Sequence, residues 1–271
     1  MSKIISIILL SLSVMILCSC NDNFLKLSHS GKSTITIAGS TSVMPFVEKL
    51  SEHFMIDRPG FRINVQGGGS TAGIQACLNK TIEIGMSSRQ LKEEEKSLEE
   101  IIICYDGISV VVHPGNPIKE LTLGQIRAIF TGEISNWKEL GWIDRQIDAI
   151  TREEGSGTRG SFEDLVMDRK EIYDGIMVQD SNGSVKEIVA TDPYAIGYIS
   201  LGLVDSRVKA LSVDGVEASL ENIKNNHYKF VRPFIFITNG VPGDIVQTFI
   251  NFVLSIEGQN ILKKEGLVGI Q

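Results

Sequence analysis

Residues 65–74, VQGGGSTAGI, decide the fold. A strand-like run ends in three consecutive glycines, Gly67 to Gly69, and a helix-capable segment begins at once on Ser70 and Thr71. Such a stretch is either a flexible turn or a place where something, an anion above all, comes close to the backbone. Upstream, TITIAGS (34–40) is a β-rich run broken at Gly39, after which Val43, Phe46, Val47, Leu50 and Phe54 recur at helical spacing. Downstream, IEIGMSS (82–88) repeats the form, and DAITREEGSGTRGSFEDLV (148–166) again passes from a strand through a Gly/Ser loop into a helix. This recurrence predicts an α/β fold with mainly parallel sheets flanked by helices.

Other segments fit that frame. GISVVVHP (107–114) is a continuous apolar strand, the kind buried on both faces of a parallel sheet. KEEEKSLEE (92–100) reads as an acidic helix with a solvated face, and Ile245 to Lys264 as one closing helix, apolar at Ile245, Phe249, Phe252, Val253, Ile256 and Ile261. ISVVVHPGNPIKEL (108–121) and YKFVRPFIFITNGVP (228–242) look like crossings between two lobes. The economical division gives lobe one residues 34–115 and 230–271, and lobe two residues 116–229. Two hinge strands join them, and the cleft between is the natural ligand site.

The chain has 271 residues, 42% hydrophobic and 22% charged, with a net charge of −7. Nothing basic suggests nucleic acid as a partner, so an anion handled here must be held by local donors. Residues 1–20, MSKIISIILLSLSVMILCSC, have a positive start at Lys3 and an apolar core, and read as an export signal. They end in L-C-S-C, a pattern resembling a bacterial lipobox with Cys20 as the acylated residue; ordinary cleavage near Ser19 without lipid is the alternative. Residues 21–33 read as a tether. Cys77 and Cys104 then remain; one disulfide is open to them, and two buried unpaired thiols are the simpler reading.

The chemistry concentrates in four loops: GSTSV (39–43), GGGSTAG (67–73), GMSSR (85–89) and REEGSGTRGSF (152–162). The first N–H groups of a helix lack intrahelical acceptors and the dipole end is positive, so an anion is stabilised there. Ser and Thr add hydroxyl donors, Gly lets the backbone approach, and Arg152 supplies a planar cation able to fork onto two oxygens. A single hydroxyl before a helix is ordinarily just an N-cap. Several such clusters with one arginine point instead to an oxyanion.

GSTSVMPFVEKL, QGGGSTAGI, IGMSSRQL, TREEGSGTRGSF and SNGSVKEIVATDPYAIGYISLG together resemble the periplasmic phosphate-binding proteins of ABC transporters, in order from about residue 34 to the C-terminus. The resemblance implies a two-lobed type II periplasmic-binding-protein fold that closes on inorganic phosphate without chemistry. It places Thr41 and Ser42, with Ser40 beside them, in the first donor loop, Ser70 in the second, and Arg152, Ser156, Gly157 and Thr158 in the lobe-two cluster. It further implies ABC permease subunits as partners; with the lipobox at Cys20, the expectation is a monomeric chain without a cofactor, attached to the cell membrane through lipid on that residue. Many members carry an aspartate in the third loop; Ser88 stands there here, which weakens the inherited selectivity against sulfate. Arg89 reads either as a second cation near the site or as a surface or lobe–lobe arginine, the latter being the simpler reading.

Rival readings meet specific obstacles. His29, His53, His113 and His227 show no metal-ligand spacing, and Ser156 lacks the glycines of a nucleophile elbow. SGKST (30–34) lacks the first glycine of a phosphate loop and leads into a strand. An enzyme is therefore not expected. A receptor for sulfate or molybdate, or a lipid-anchored sensor or adhesin on the same fold, stays open.

Overall fold

The computed structural model describes residues 33–270; the segments read above as an export signal and a tether, with Cys20, lie outside the described residues up to residue 32. The first strands, β1 (Ser33–Gly39), β2 (Phe61–Gly67) and β3 (Ile84–Ser87), run parallel with β1 in the middle. Gly39 pairs with both Gly67 and Met86, so the three strands end at one sheet edge. Helices α1 (Met44–Asp57) and α2 (Ser70–Leu78) leave from that edge. Gly73 lets α2 lie directly on β1, since a Cβ there would stand 2.6 Å from the Gly39 Cα.

The chain then enters β4 (Glu99–Val112), which belongs to both halves of the sheet. Its first part pairs antiparallel with the late strand, over Glu99 to Gly107; its second, Ile108 to Val112, pairs antiparallel with Ala195–Ser200. The middle of the chain supplies β5 (Glu120–Leu121), α3 (Leu123–Phe130), β6 (Asp148–Arg152), α4 (Gly157–Leu165), β7 (Met177–Gln179), α5 (Asn182–Thr191), β8 (Ala195–Ser200), β9 (Lys209–Ala210), β10 (Ser212–Val213) and α6 (Leu220–Lys224). The chain returns through β11 (Val231–Thr238) and ends in α7 (Asp244–Leu254) and α8 (Ile256–Lys264). The main sheet has the order β2-β1-β3-β11-β4-β8-β6-β7, with β9 on β4; β5 and β10 form a separate short ladder. Two large cores flank it. One joins α1 and the closing helices to β1 and β11 through Phe46, Phe54, Phe234 and Phe249; the other gathers Phe130, Trp137, Phe162 and Tyr198.

The strands that carry the hydroxyl loops are parallel, as expected from their form. The crossing strands are not: residues 107–112 of GISVVVHP are buried on both faces, but within antiparallel pairings, and His113 and Pro114 lie beyond the strand. KEEEKSLEE is not a helix. Glu93–Glu95 make one 3-10 turn, and Glu99 and Glu100 already belong to β4. Glu95 turns inward because its carboxylate accepts from both terminal nitrogens of Arg89, at 2.7 and 2.8 Å, and from the Lys92 amide at 2.8 Å. The closing helix breaks at Ser255, whose Oγ accepts from the Gly258 amide at 3.3 Å and starts α8 in a new direction. The break leaves Ile256 73% exposed, although the periodicity placed it in a core. Cys77 and Cys104 are both buried and free.

Candidate functional site

The carboxyl ends of parallel strands from both halves converge, the usual ligand position in α/β sheets. Ser40, Thr41 and Ser42 follow β1, Ser70 follows β2, and Ser88 follows β3. Ser40 Oγ lies 2.9 Å from Ser42 Oγ and donates to Ser88 Oγ at 2.9 Å. Ser88 Oγ is 3.5 Å from Ser70 Oγ, which also accepts from the Ser88 amide at 3.2 Å. From the other half, Thr158 Oγ1 stands 3.3 Å from Ser42 Oγ. Ser40, Ser42, Ser70, Ser88 and Thr158 are all buried, and buried hydroxyls need partners; here they serve one another.

The capping reading accounts for only one loop. α1 and α2 are preceded by Val43 and Gly69, and neither end has a side-chain cap. Ser42 and Ser70 therefore have no helix to cap, while Ser40 Oγ accepts from the Ser42 amide at 3.3 Å in the turn that leads into α1. Ser156 does cap α4, accepting from the Arg159 amide at 3.2 Å. Gly69 explains part of the opening stretch: it sits at φ 88°, a left-handed conformation that glycine adopts without penalty. The Thr71 amide is spent on Gly155 O at 3.0 Å, a contact between the halves, so that helix-start N–H is not turned towards a ligand.

Gly157 is a close approach of the two halves. A Cβ there would overlap Ser70 Oγ and stand 2.6 Å from Ser88 Oγ. It is the first residue of α4 and has no need of a left-handed backbone, so alanine suits the helix itself. Gly157→Ala should cost about 1–3 kcal/mol of ligand affinity, the scale of overpacking, because Ser70 and Ser88 must give way to the new methyl group. Titration checks this; unchanged affinity would show that ligand binding does not depend on this contact.

Arg152 ends β6 and is 1% exposed. Its Nε donates to Glu153 Oε2 at 3.0 Å and to Gln179 O at 3.1 Å; Nη2 donates to Glu153 Oε1 at 2.9 Å and to Asp180 O at 3.0 Å. Nη1 is buried with no protein partner. The expectation of an open fork is thus corrected: one edge of the guanidinium is occupied, and Nη1 alone is left to offer its hydrogens. β6 is anchored beneath it by Tyr198, whose ring stacks on Phe162 at 3.8 Å and whose hydroxyl lies 2.7 Å from Thr151 Oγ1. Burial pushes the Tyr198 phenol up to about 12.

Arg89 is not on the surface. Buried against Glu95, it also donates to Thr71 Oγ1 at 3.2 Å and packs against Gly160 of α4. The Glu95 carboxyl is held below its usual range, chiefly by the Arg89 hydrogen bond. Across the halves, Ser161 Oγ donates to Ser88 O at 3.0 Å.

Three residues escaped the sequence reading. Asp106 and Arg232 face each other in the β4–β11 register and form a buried pair, with Nε at 3.2 Å and Nη2 at 3.0 Å from Oδ2. An acid and a base, each flanked by apolar strand residues, were the available signal. Asn182 opens α5, and its Nδ2 lies 3.3 Å from Thr41 Oγ1 and 3.4 Å from Thr158 Oγ1. The SNG turn around it was visible, but its role was not. Among the described residues no cluster of three or more His, Cys, Asp or Glu could hold a metal ion.

Known proteins resemble this chain closely. A family model described as a PBP superfamily domain matches residues 27–257. A phosphate-binding protein PstS of Bacillus subtilis is 31% identical, over 99% of this chain and 94% of its own length; that of Borreliella burgdorferi is 32% identical, over 99% and 98%. A Clostridium perfringens crystal structure, described as a "Phosphate ABC Transporter Substrate-Binding Protein with Bound Phosphate", is 44% identical with a TM-score of 0.85, covering 88% of this chain and all (100%) of that one. An ABC-type phosphate transport receptor of Vibrio cholerae is 35% identical with a TM-score of 0.72, covering 86% and 99%. The curled mixed sheet with flanking helices is the type II periplasmic-binding-protein fold, and this chain belongs to the PBP superfamily, in the family of the phosphate-binding proteins.

Proposed function

We propose that the chain binds inorganic phosphate between lobe one (34–115 and 230–271) and lobe two (116–229) and delivers it to an ABC permease. The observation that carries this reading is the free, buried Nη1 of Arg152. The loop after that residue brings Gly157 and Thr158 against a chain of buried hydroxyls. A cation with spare hydrogens and several hydroxyls make an anion clamp, and they include no general base or activated nucleophile. Ser40, Thr41, Ser42, Ser70 and Ser88 donate from lobe one, and Arg152, Gly157 and Thr158 from lobe two. Ser156 acts through its backbone and its cap. Closure replaces the ligand's water with these fixed donors.

Calorimetry of the mature chain against phosphate, sulfate and molybdate tests the reading. Phosphate should bind most tightly; a preference for either rival assigns the site to another oxyanion, and no binding of any of them favours a sensor or adhesin. Installing a carboxylate by Ser88→Asp should lower the sulfate-to-phosphate affinity ratio by roughly tenfold or more, because sulfate brings no proton to meet the new charge. Parallel titrations of both variants check this, and an unchanged ratio would place Ser88 out of contact with the ligand.

The proposed setting is the outer face of the cell membrane, with the monomeric chain held by lipid on Cys20. No helix among the described residues is long and apolar enough to cross a membrane. Cys20→Ser should release the protein from the detergent phase or leave it unprocessed. Mass spectrometry showing an unmodified N-terminus downstream of Cys20 would refute the anchor.

A further inference from the structure

Asn182 stands where the two halves and the crossing strands communicate. It is buried at the first position of α5, behind the Ser181 cap. Its Oδ1 accepts from the Ser200 amide at 3.2 Å. That bond fixes which way the side chain faces, because only the carbonyl oxygen can accept from an N–H. The NH2 end is thereby turned to Thr41 Oγ1 of one half and Thr158 Oγ1 of the other, at 3.3 and 3.4 Å. The Asn182 amide adds a further bond to Thr41 Oγ1 at 3.4 Å. Ser200 is itself held, its Oγ donating to Asp106 Oδ1 at 2.9 Å, and Asp106 is held by Arg232.

A hydroxyl can donate or accept, whereas a fully ionised anion can only accept. A threonine whose oxygen already accepts from an amide keeps its own hydrogen to give. We infer that Asn182 is a positioning residue that commits the hydroxyls of Thr41 and Thr158 to donate to the bound anion, so that the site does not depend on a proton carried by the ligand. The inference rests on the phosphate reading above, and it gives Asn182 no contact with the phosphate. The relay Arg232–Asp106–Ser200–Asn182 then ties the orientation of the two donors to the strands that join the lobes.

Asn182→Asp reverses the polarity at nearly constant shape. A carboxylate at the start of a helix suits the dipole, so the variant should fold. It accepts from both threonines, turns their hydrogens away from the ligand and leaves lone pairs facing it. Phosphate affinity of this variant should fall on the order of tenfold to a hundredfold, the size of a lost hydrogen bond to a charged group. It should also fall more steeply than the wild type between about pH 6 and 8, as the ligand gives up its second proton. Asn182→Ala should bind more weakly with the wild-type pH slope, and should add little further loss in a Thr41→Val/Thr158→Val background. Phosphate titrations across that range, beside thermal melts, read all of this. A wild-type slope in the aspartate variant, or full additivity in the alanine cycle, overturns the inference alone. A wild-type chain that binds no phosphate overturns the phosphate reading and the inference with it. Should the aspartate variant not fold, the alanine cycle decides.

Discussion

Arg152→Ala should lower phosphate affinity by about 2–5 kcal/mol, roughly thirtyfold to several thousandfold, with the fold intact. The guanidinium is buried at the end of β6, and its Nη1 has no partner in the protein. Leaving such a group unpaired is costly, so its position is justified by what it meets on binding. The residue is held rigidly by Gln179 O, Asp180 O and the Glu153 carboxylate, and so loses little freedom when the ligand arrives. Removing it also strips Glu153 of its partner and leaves an acid near the proposed anion. Arg152→Lys should recover only part of the loss, because an ammonium cannot bond the two carbonyls, the carboxylate and the ligand at once. Calorimetry on the three proteins is the measurement. Equal affinity of wild type and alanine variant, with matching melts, would remove Arg152 from the site.

The loops around that residue were legible because their chemistry is local. A parallel strand that ends at a ligand edge turns sharply into a helix, and glycine and small hydroxyl residues mark the turn in the sequence. The structure links Ser70, Ser88, Ser40, Ser42 and Thr158 in one buried chain of hydroxyls. What the sequence concealed depends on partners distant along the chain. The occupied edge of Arg152 is set by β7, whose Gln179 lies opposite it only once β6 and β7 have paired. Asn182 acquires its meaning from Ser200 and from Thr41, which is 141 positions away. Arg89 and Glu95 are near neighbours, yet the acidic run around Glu95 masked an inward-facing pair. The break at Ser255 was hidden because the apolar spacing continues through it while the helix axis does not.

Arg232→Met should destabilise the fold by about 3–5 kcal/mol near neutral pH, the usual cost of leaving half of a buried ion pair uncompensated. Asp106 and Arg232 are among the most deeply buried charges described, 126 positions apart, at the place where β4 passes from one half of the sheet to the other. Burial pushes the Asp106 carboxyl above its usual range, against the opposing pull of Arg232 and of bonds from Ser200 and Gly202. Without the guanidinium that pull weakens, and the folded-state value rises further above the unfolded one. A carboxyl raised on folding binds more protons in the native state, so stability declines as pH rises through the window between the two values. The deficit of Arg232→Met should therefore be largest above that window and shrink as acid protonates Asp106. Asp106→Asn/Arg232→Met removes both charges and keeps an acceptor for Ser200 Oγ, so it should recover most of the loss. Denaturant titrations at several pH values compare the three proteins. A single variant within about 1 kcal/mol of wild type, the scale of an ordinary substitution, would show that the pair is not what holds the crossing. So would a double variant as unstable as the single one.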